Sequence, residues 1–147
     1  MKSASYVPDS QIETSPTLDD KSVIRYGVDG PGWIVSPSDD PKVTVTLTDP
    51  VTGEAPYVKK IIISPHANVE KVKLTLTKEL DNGNQIQIED TVTLDEVGEI
   101  NFDQAVKLVL VKIKVKTYTD SSNNIEMKIG VLACMVEHSR WNFHDLS

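Results

Sequence analysis

Adjacent acidic side chains recur in the loop-like stretches of this 147-residue chain, at Asp19-Asp20, Asp39-Asp40 and Asp95-Glu96. Paired carboxylates can do acid–base hydrolysis or hold a hard cation. Hydrolysis needs one carboxyl desolvated enough to stay protonated near neutral pH, whereas these pairs sit among polar neighbours in loops, the setting of a solvated acidic surface. Nucleophilic catalysis fares no better. His66, His138 and His144 fall in a turn or in the last ten residues, and no Gly-x-Ser-x-Gly elbow exists to raise a serine nucleophile. The expectation is a chain that is not an enzyme. Calcium is the one metal these acids suit, because it takes hard oxygen ligands from loops, and Asp9, Asp39 and Asp40 are its candidate ligands. No EF-hand spacing is present, and solvated loops with no cofactor are the other reading. The single cysteine, Cys134, makes no internal disulfide, and no Cys/His set has zinc spacing.

Other side chains could recognise rather than react. Arg25, His66 and Asn68 carry planar polar groups, which suit the vicinal hydroxyl pairs of sugars. For Ser64-Pro65-His66-Ala67-Asn68 the alternative is a tight turn in which Pro65 and Asn68 serve geometry. Lys107, Lys112, Lys114 and Lys116 suggest a polyanion site. Their alternation with valine, isoleucine and leucine instead places them on the wet face of one strand, where lysines also guard an edge against stray pairing, and the net acidity of the chain argues against an anionic partner. Lysine and arginine total 15 against 22 acids, a formal charge of -7 with no basic cluster in sequence, so nucleic acid is excluded as a partner. No apolar run approaches the roughly 20 residues of a membrane helix, so membrane insertion is not expected.

These residues need a scaffold, and the sequence predicts an all-β one. After residue 42, β-branched and polar residues alternate between Gly, Pro, Asn and Asp clusters, giving expected strands over 43–47, 57–64, 69–78, 85–94, 106–118 and 125–133. Each is expected to have a core face and a wet face. Asp81-Asn82-Gly83-Asn84 predicts a type I′ hairpin, since Asn-Gly supplies positive φ at both central positions. Helices should be few and short, because no long window shows helical spacing of apolar residues. Six such strands bury their apolar faces either in two stacked sheets or in a closed barrel, and the expected architecture is an antiparallel β-sandwich of jelly-roll type. The expected organisation is one domain over 1–137 and a tail or linker over 138–147, monomeric when isolated.

The two ends of the chain carry a family pattern. Val7-Pro8-Asp9-Ser10-Gln11-Ile12-Glu13-Thr14-Ser15 and Asn124-Ile125-Glu126-Met127-Lys128-Ile129-Gly130-Val131-Leu132-Ala133-Cys134 resemble the opening and closing segments of a discoidin (coagulation factor 5/8 type C) domain. Between them, Gly32-Trp33, Asp39-Asp40-Pro41 and Val43-Thr44-Val45-Thr46-Leu47 resemble that family's Gly-Trp stretch and the strand after it. The resemblance implies a galactose-binding-like sandwich with Trp33 packed in its core. It also implies a non-catalytic, extracellular or cell-surface module, part of a larger protein, that binds a glycan or an extracellular protein through loops at one end. Those loops would be residues 14–26 and 64–68, with Asp19, Asp20, Arg25, Tyr26, His66 and Asn68 as contact residues; Tyr57, Tyr118 and Trp141 are further aromatics within reach. A scaffold module packing against neighbouring domains, or an enzyme-appended carbohydrate-binding module, remain as alternatives. Cys134 stands where the family's last cysteine pairs with one before the first strand, a place held here by Ser3, Ala4, Ser5 or Tyr6.

Overall fold

In a computed structural model, residues 7–134 are described, and they form eight strands and three short 3-10 turns. The strands are β1 (Ile12–Ser15), β2 (Trp33–Val35), β3 (Lys42–Thr46), β4 (Tyr57–Ala67), β5 (Val69–Glu79), β6 (Gln85–Thr93), β7 (Glu99–Tyr118) and β8 (Ile125–Cys134). All strand pairs are antiparallel, with the orders β1-β3-β7-β5-β6 in one layer and β7-β4-β8-β2 in the other. The antiparallel β-sandwich expected from alternation is thus the observed fold. The tail over 138–147, with His138, Trp141 and His144, lies outside the described residues.

One strand belongs to both layers. The first half of β7 pairs with β4 (Tyr57↔Lys107, Ile62↔Glu99), and the second half lies between β3 (Lys42↔Lys114) and β5 (Leu74↔Ile113). Two irregularities let it do so: the register against β4 breaks between Val58 and Lys60, and that against β5 breaks between Thr77 and Lys78. Bulges of this kind bend a strand and increase its twist, which carries β7 from one sheet to the other. The sequence predicts only 106–118, because Asn101, Asp103 and Gln104 interrupt the apolar alternation of the first half.

The core follows the alternation. Val43 and Val45, then Val72, Leu74 and Leu76, then Val111, Ile113 and Val115 point inward from one sheet. Val58, Ile61 and Ile63 with Ile125, Met127, Ile129 and Val131 meet them from the other. Strands β1 and β2 were not expected, because they are only four and three residues long in a stretch rich in proline. Trp33 on β2 is 4% exposed and packed in this core, as expected.

Two expectations fail. The β5–β6 hairpin forms, but its turn is not type I′. Gly83 N–H donates to Leu80 O at 2.9 Å, and only Gly83 has positive φ, 87°, so Asn82 stays in an ordinary conformation. Strand β6 also has no buried face. It pairs with β5 alone and overhangs the second layer, which leaves Ile86 and Ile88, on the inward row opposite Lys78 and Leu76, 43% and 41% exposed.

Candidate functional site

The pairings fix which loops share an end of the sandwich. Ser15 pairs with Lys42 and Lys42 with Lys114, while Val69 pairs with Tyr118, Ala67 with Glu126 and Val35 with Ile125. The segment after β1, the β2–β3 connection 36–41, the β4–β5 turn at Asn68 and the β7–β8 loop 119–124 therefore all leave from the same end. This end carries the candidate site.

Asn68 organises it. Its backbone sits at φ 65°, a left-handed conformation that asparagine tolerates better than most residues. Its side-chain amide donates to Asp120 O at 2.7 Å and to Asn123 O at 2.9 Å, and its side-chain oxygen accepts from Asp120 N–H at 2.6 Å. The β4–β5 turn is thereby clamped to the β7–β8 loop. Within that loop the Asp120 carboxylate accepts from Ser122 N–H, Ser122 Oγ–H and Asn123 Nδ2. The Ser122 hydroxyl is the largest cause holding the Asp120 carboxyl below the usual carboxylate range.

The β2–β3 connection is tied from both sides. Ser36 Oγ caps the 3-10 turn Pro37–Asp39 by accepting from Ser38 N–H, and Tyr118 Oη donates to Pro37 O at 3.4 Å. Burial, with the Asp40 charge second, raises the Tyr118 hydroxyl above its ordinary value. Asp40, at φ 53°, lies 3.3 Å from Lys42 Nζ and 3.6 Å from Lys114 Nζ. The hydrogen bond from Lys42 lowers its carboxyl.

The side chains named from sequence are distributed as follows. Asp39, Asp40 and Asn68 are at this end. His66 Nε2 is 2.8 Å from Asp95 O and ties the β6–β7 connection to β4. Asp19 and Asp20 lie on the segment leaving β1. Asp20 Oδ1 accepts from Ser22 N–H and Ser22 Oγ–H, and the hydroxyl is the chief cause lowering its carboxyl. Arg25 and Tyr26 are elsewhere. Arg25 bridges to Ile129 on β8, four residues from Ile125, about 13 Å at the usual strand rise. Its guanidinium, on a residue only 8% exposed, donates to Val7 O at 2.7 Å and to Asp9 Oδ1 at 2.5 Å. Tyr26 lies across Gly130, where a Cβ would come within 2.8 Å of the Tyr26 Cβ. Arg25 and Tyr26 thus lie apart from the loop end with which the sequence grouped them, and tie residues 25 and 26 to β8.

The candidate calcium acids are also held apart. Asp9 faces Arg25 on the flank and Asp40 faces two lysines at the loop end. Among the described residues no three His, Cys, Asp or Glu side chains gather into a set able to hold a metal. No helix of the described residues is long and apolar enough to cross a membrane.

The sequence reading missed the loop 119–124 as part of the site. Its signal was present in Asp120-Ser121-Ser122-Asn123-Asn124, a run of turn-forming residues between two strands, but only the Asn68 clamp shows what it is joined to. That clamp is testable. Asn68→Ala removes three short side-chain hydrogen bonds and a longer one to Asn124 O, each typically worth about 0.5–1.5 kcal/mol or less, and leaves a residue with a Cβ in the left-handed region. We expect a loss of about 2–3 kcal/mol in urea unfolding, with Asn68→Gly recovering about 1 kcal/mol of it because glycine carries no Cβ. An Asn68→Ala protein as stable as wild type would show that the two loops are not coupled through this side chain.

No protein-family model and no curated protein matches the chain. Among solved structures it is similar to the family 32 carbohydrate-binding module of C. perfringens NanJ, determined in complex with galactose, at 14% identity and a TM-score of 0.47 over 88% of this chain and 97% of that one.

Proposed function

We propose that this chain is a non-catalytic recognition module, one domain of a larger extracellular protein, which binds a glycan or a protein ligand at the loop end formed by residues 36–41, 66–68 and 119–124. The observation that carries the reading is the Asn68 clamp. Loops joined through the Asn68 side chain, which bonds to the backbone of residues 120 and 123, are already ordered, so a ligand does not have to supply that ordering. On this frame Asp39 and Ser121 are exposed and make no side-chain hydrogen bond or ion pair among the described residues. A carboxylate and a hydroxyl so placed accept from, and donate to, ligand hydroxyls or a partner's cationic side chains. The extracellular setting rests on the discoidin-like pattern at the two ends of the chain.

The test is an NMR titration with a panel of mono- and oligosaccharides, run with calcium and with a chelator. With few aromatics to stack on a sugar ring, a single copy should bind with Kd on the order of 0.1–1 mM, strengthened in the parent protein by multivalency. Shifts should concentrate at 36–41, 66–68 and 119–124 and weaken in Asp39→Asn. Saturable shifts that leave these loops silent would overturn the loop-end reading. A second reading, packing against a neighbouring domain, is favoured by the unpaired edge of β6 with Ile86 and Ile88 uncovered. Shifts along β6 on adding the adjoining domain would select it.

A further inference from the structure

Three of the four lysines read from sequence as guards of a strand edge, Lys112, Lys114 and Lys116, are not at an edge. The half of β7 that carries Lys112, Lys114 and Lys116 lies in the middle of its sheet, hydrogen-bonded to β3 on one side and β5 on the other. Register then adds lysines the sequence could not associate with them. Lys114 stands directly opposite Lys42 of β3 and directly opposite Lys73 of β5, and Lys71 follows on the same strand. The result is a row of three lysines across three adjacent strands, crossed by a column of three along β7. Neighbouring strands are about 4.8 Å apart, and alternate residues of one strand about 6.6 Å apart.

We infer that this lysine grid on the outer face of the β3-β7-β5 sheet binds a linear anionic polysaccharide, one bearing sulfate or uronic-acid groups. The site is separate from the loop end and does not depend on that reading.

Three observations carry the inference. First, like charges directly opposite each other in a sheet destabilise it, so nothing in folding calls for Lys42, Lys114 and Lys73 side by side in a chain whose net charge is -7. Second, the counter-charges are sparse and peripheral. Asp40 lies at the loop end of the row, 3.3 Å from Lys42 and 3.6 Å from Lys114; Glu89, on the edge strand β6, is 3.5 Å from Lys73. Glu13 stands on the opposite edge strand, β1, across from Thr44. Exposed pairs of this kind are weak and readily exchanged. Lys71, Lys112 and Lys116 are exposed and form no ion pair among the described residues. Third, the next row, Thr44, Lys112 and Thr75, places hydroxyls on both sides of a lysine, which adds hydrogen-bonding groups suited to sugar hydroxyls.

The same face argues against the other polyanions. Its neighbouring aromatic, Tyr118, is packed against the core with its hydroxyl on Pro37 O, so it offers no open ring for the base stacking that single-stranded nucleic acid requires. It has no arginine to grip phosphate with two parallel hydrogen bonds. Half-buried Leu110 is the only large apolar side chain on its three central strands, too little to add an apolar anchor to charge at a membrane surface.

The experiment compares heparin, hyaluronate, neutral dextran, single-stranded polynucleotide and anionic phosphatidylserine vesicles as probes of wild type and two triple variants. One variant is K112Q/K114Q/K116Q. The other, with the same change of net charge, is K59Q/K60Q/K107Q. Wild type should bind heparin or hyaluronate in low salt and ignore dextran. Because each released counterion adds to the affinity, the β7 variant should lose about tenfold and the control less than about twofold. The melting temperature of the β7 variant should stay level or rise, since it relieves the Lys42–Lys114–Lys73 repulsion. Lys114→Gln alone should show a smaller loss of binding with the same sign in stability, which keeps the test decisive if the triple variant does not express. No binding of either anionic glycan, equal losses in both triple variants, or tighter binding of polynucleotide or vesicles than of glycan would each overturn the inference.

Discussion

Trp33→Ala is expected to lower the stability of the domain by about 3–5 kcal/mol, the range found when a large aromatic is removed from a packed core. Trp33 is 4% exposed, and among the described residues it is the only aromatic in the buried core, the rest being mainly valine, isoleucine and leucine. Those neighbours are stiff at their branched carbons and held in strand positions, so they cannot turn to refill the space. Its strand, β2, is three residues long and pairs only with β8. The indole therefore also fastens the edge of the sheet. With a urea m-value of about 1–3 kcal/mol/M, the midpoint should fall by more than about 1 M. An unchanged midpoint would place Trp33 on the surface, where an indole can stack on a ligand.

Gly98→Ala should also be damaging, by about 2–5 kcal/mol, for a different reason. Gly98 adopts φ 69° where the β6–β7 connection passes β4. Its carbonyl accepts from Ile63 N–H at 2.7 Å, and its own N–H donates to Asp95 Oδ1 at 2.9 Å. A Cβ there would overlap the backbone oxygen of Ile63 and crowd the His66 ring. The left-handed conformation costs an alanine about 1–2 kcal/mol. Displacing β4 beside the fully buried Ile63 adds an overpacking cost of about 1–3 kcal/mol. Val97→Ala, one residue away on a side chain 57% exposed, should stay within about 0.5 kcal/mol of wild type. If the two variants unfolded at the same denaturant concentration, the close approach at Gly98 would not exist in solution.

Alternation made the sheets legible in the sequence because its period is that of a half-buried strand: Val43 and Val45, or Val111, Ile113 and Val115, point inward as their spacing demands. It failed where burial does not follow period. Ile86 and Ile88 have the alternation of a core strand, yet the second layer stops short of them. Asn101 to Gln104 break the alternation, yet they lie inside β7. The Asn-Gly pair announced a hairpin correctly without fixing its turn type, since five residues between the paired positions Glu79 and Gln85 leave Asn82 free of positive φ. The candidate site was legible only one loop at a time. Asn68 could be read as turn former or as ligand contact, and its role in joining two loops appears only when residues 52 positions apart are brought together. The lysines show the same limit more sharply: whether a strand is central or peripheral depends on long-range pairing, and no local pattern records it.

Because β7 is shared, the two layers have no independent existence as folding units. Loss of either layer takes hydrogen bonds from the same strand, so partial opening of one sheet while the other persists should be costly. Native-state hydrogen exchange would register this as a common opening free energy for the β7 amides facing β4 and for those facing β3 and β5, while the singly paired β6 exchanges at lower energy. A force or protease acting on one layer would then meet the resistance of the whole domain.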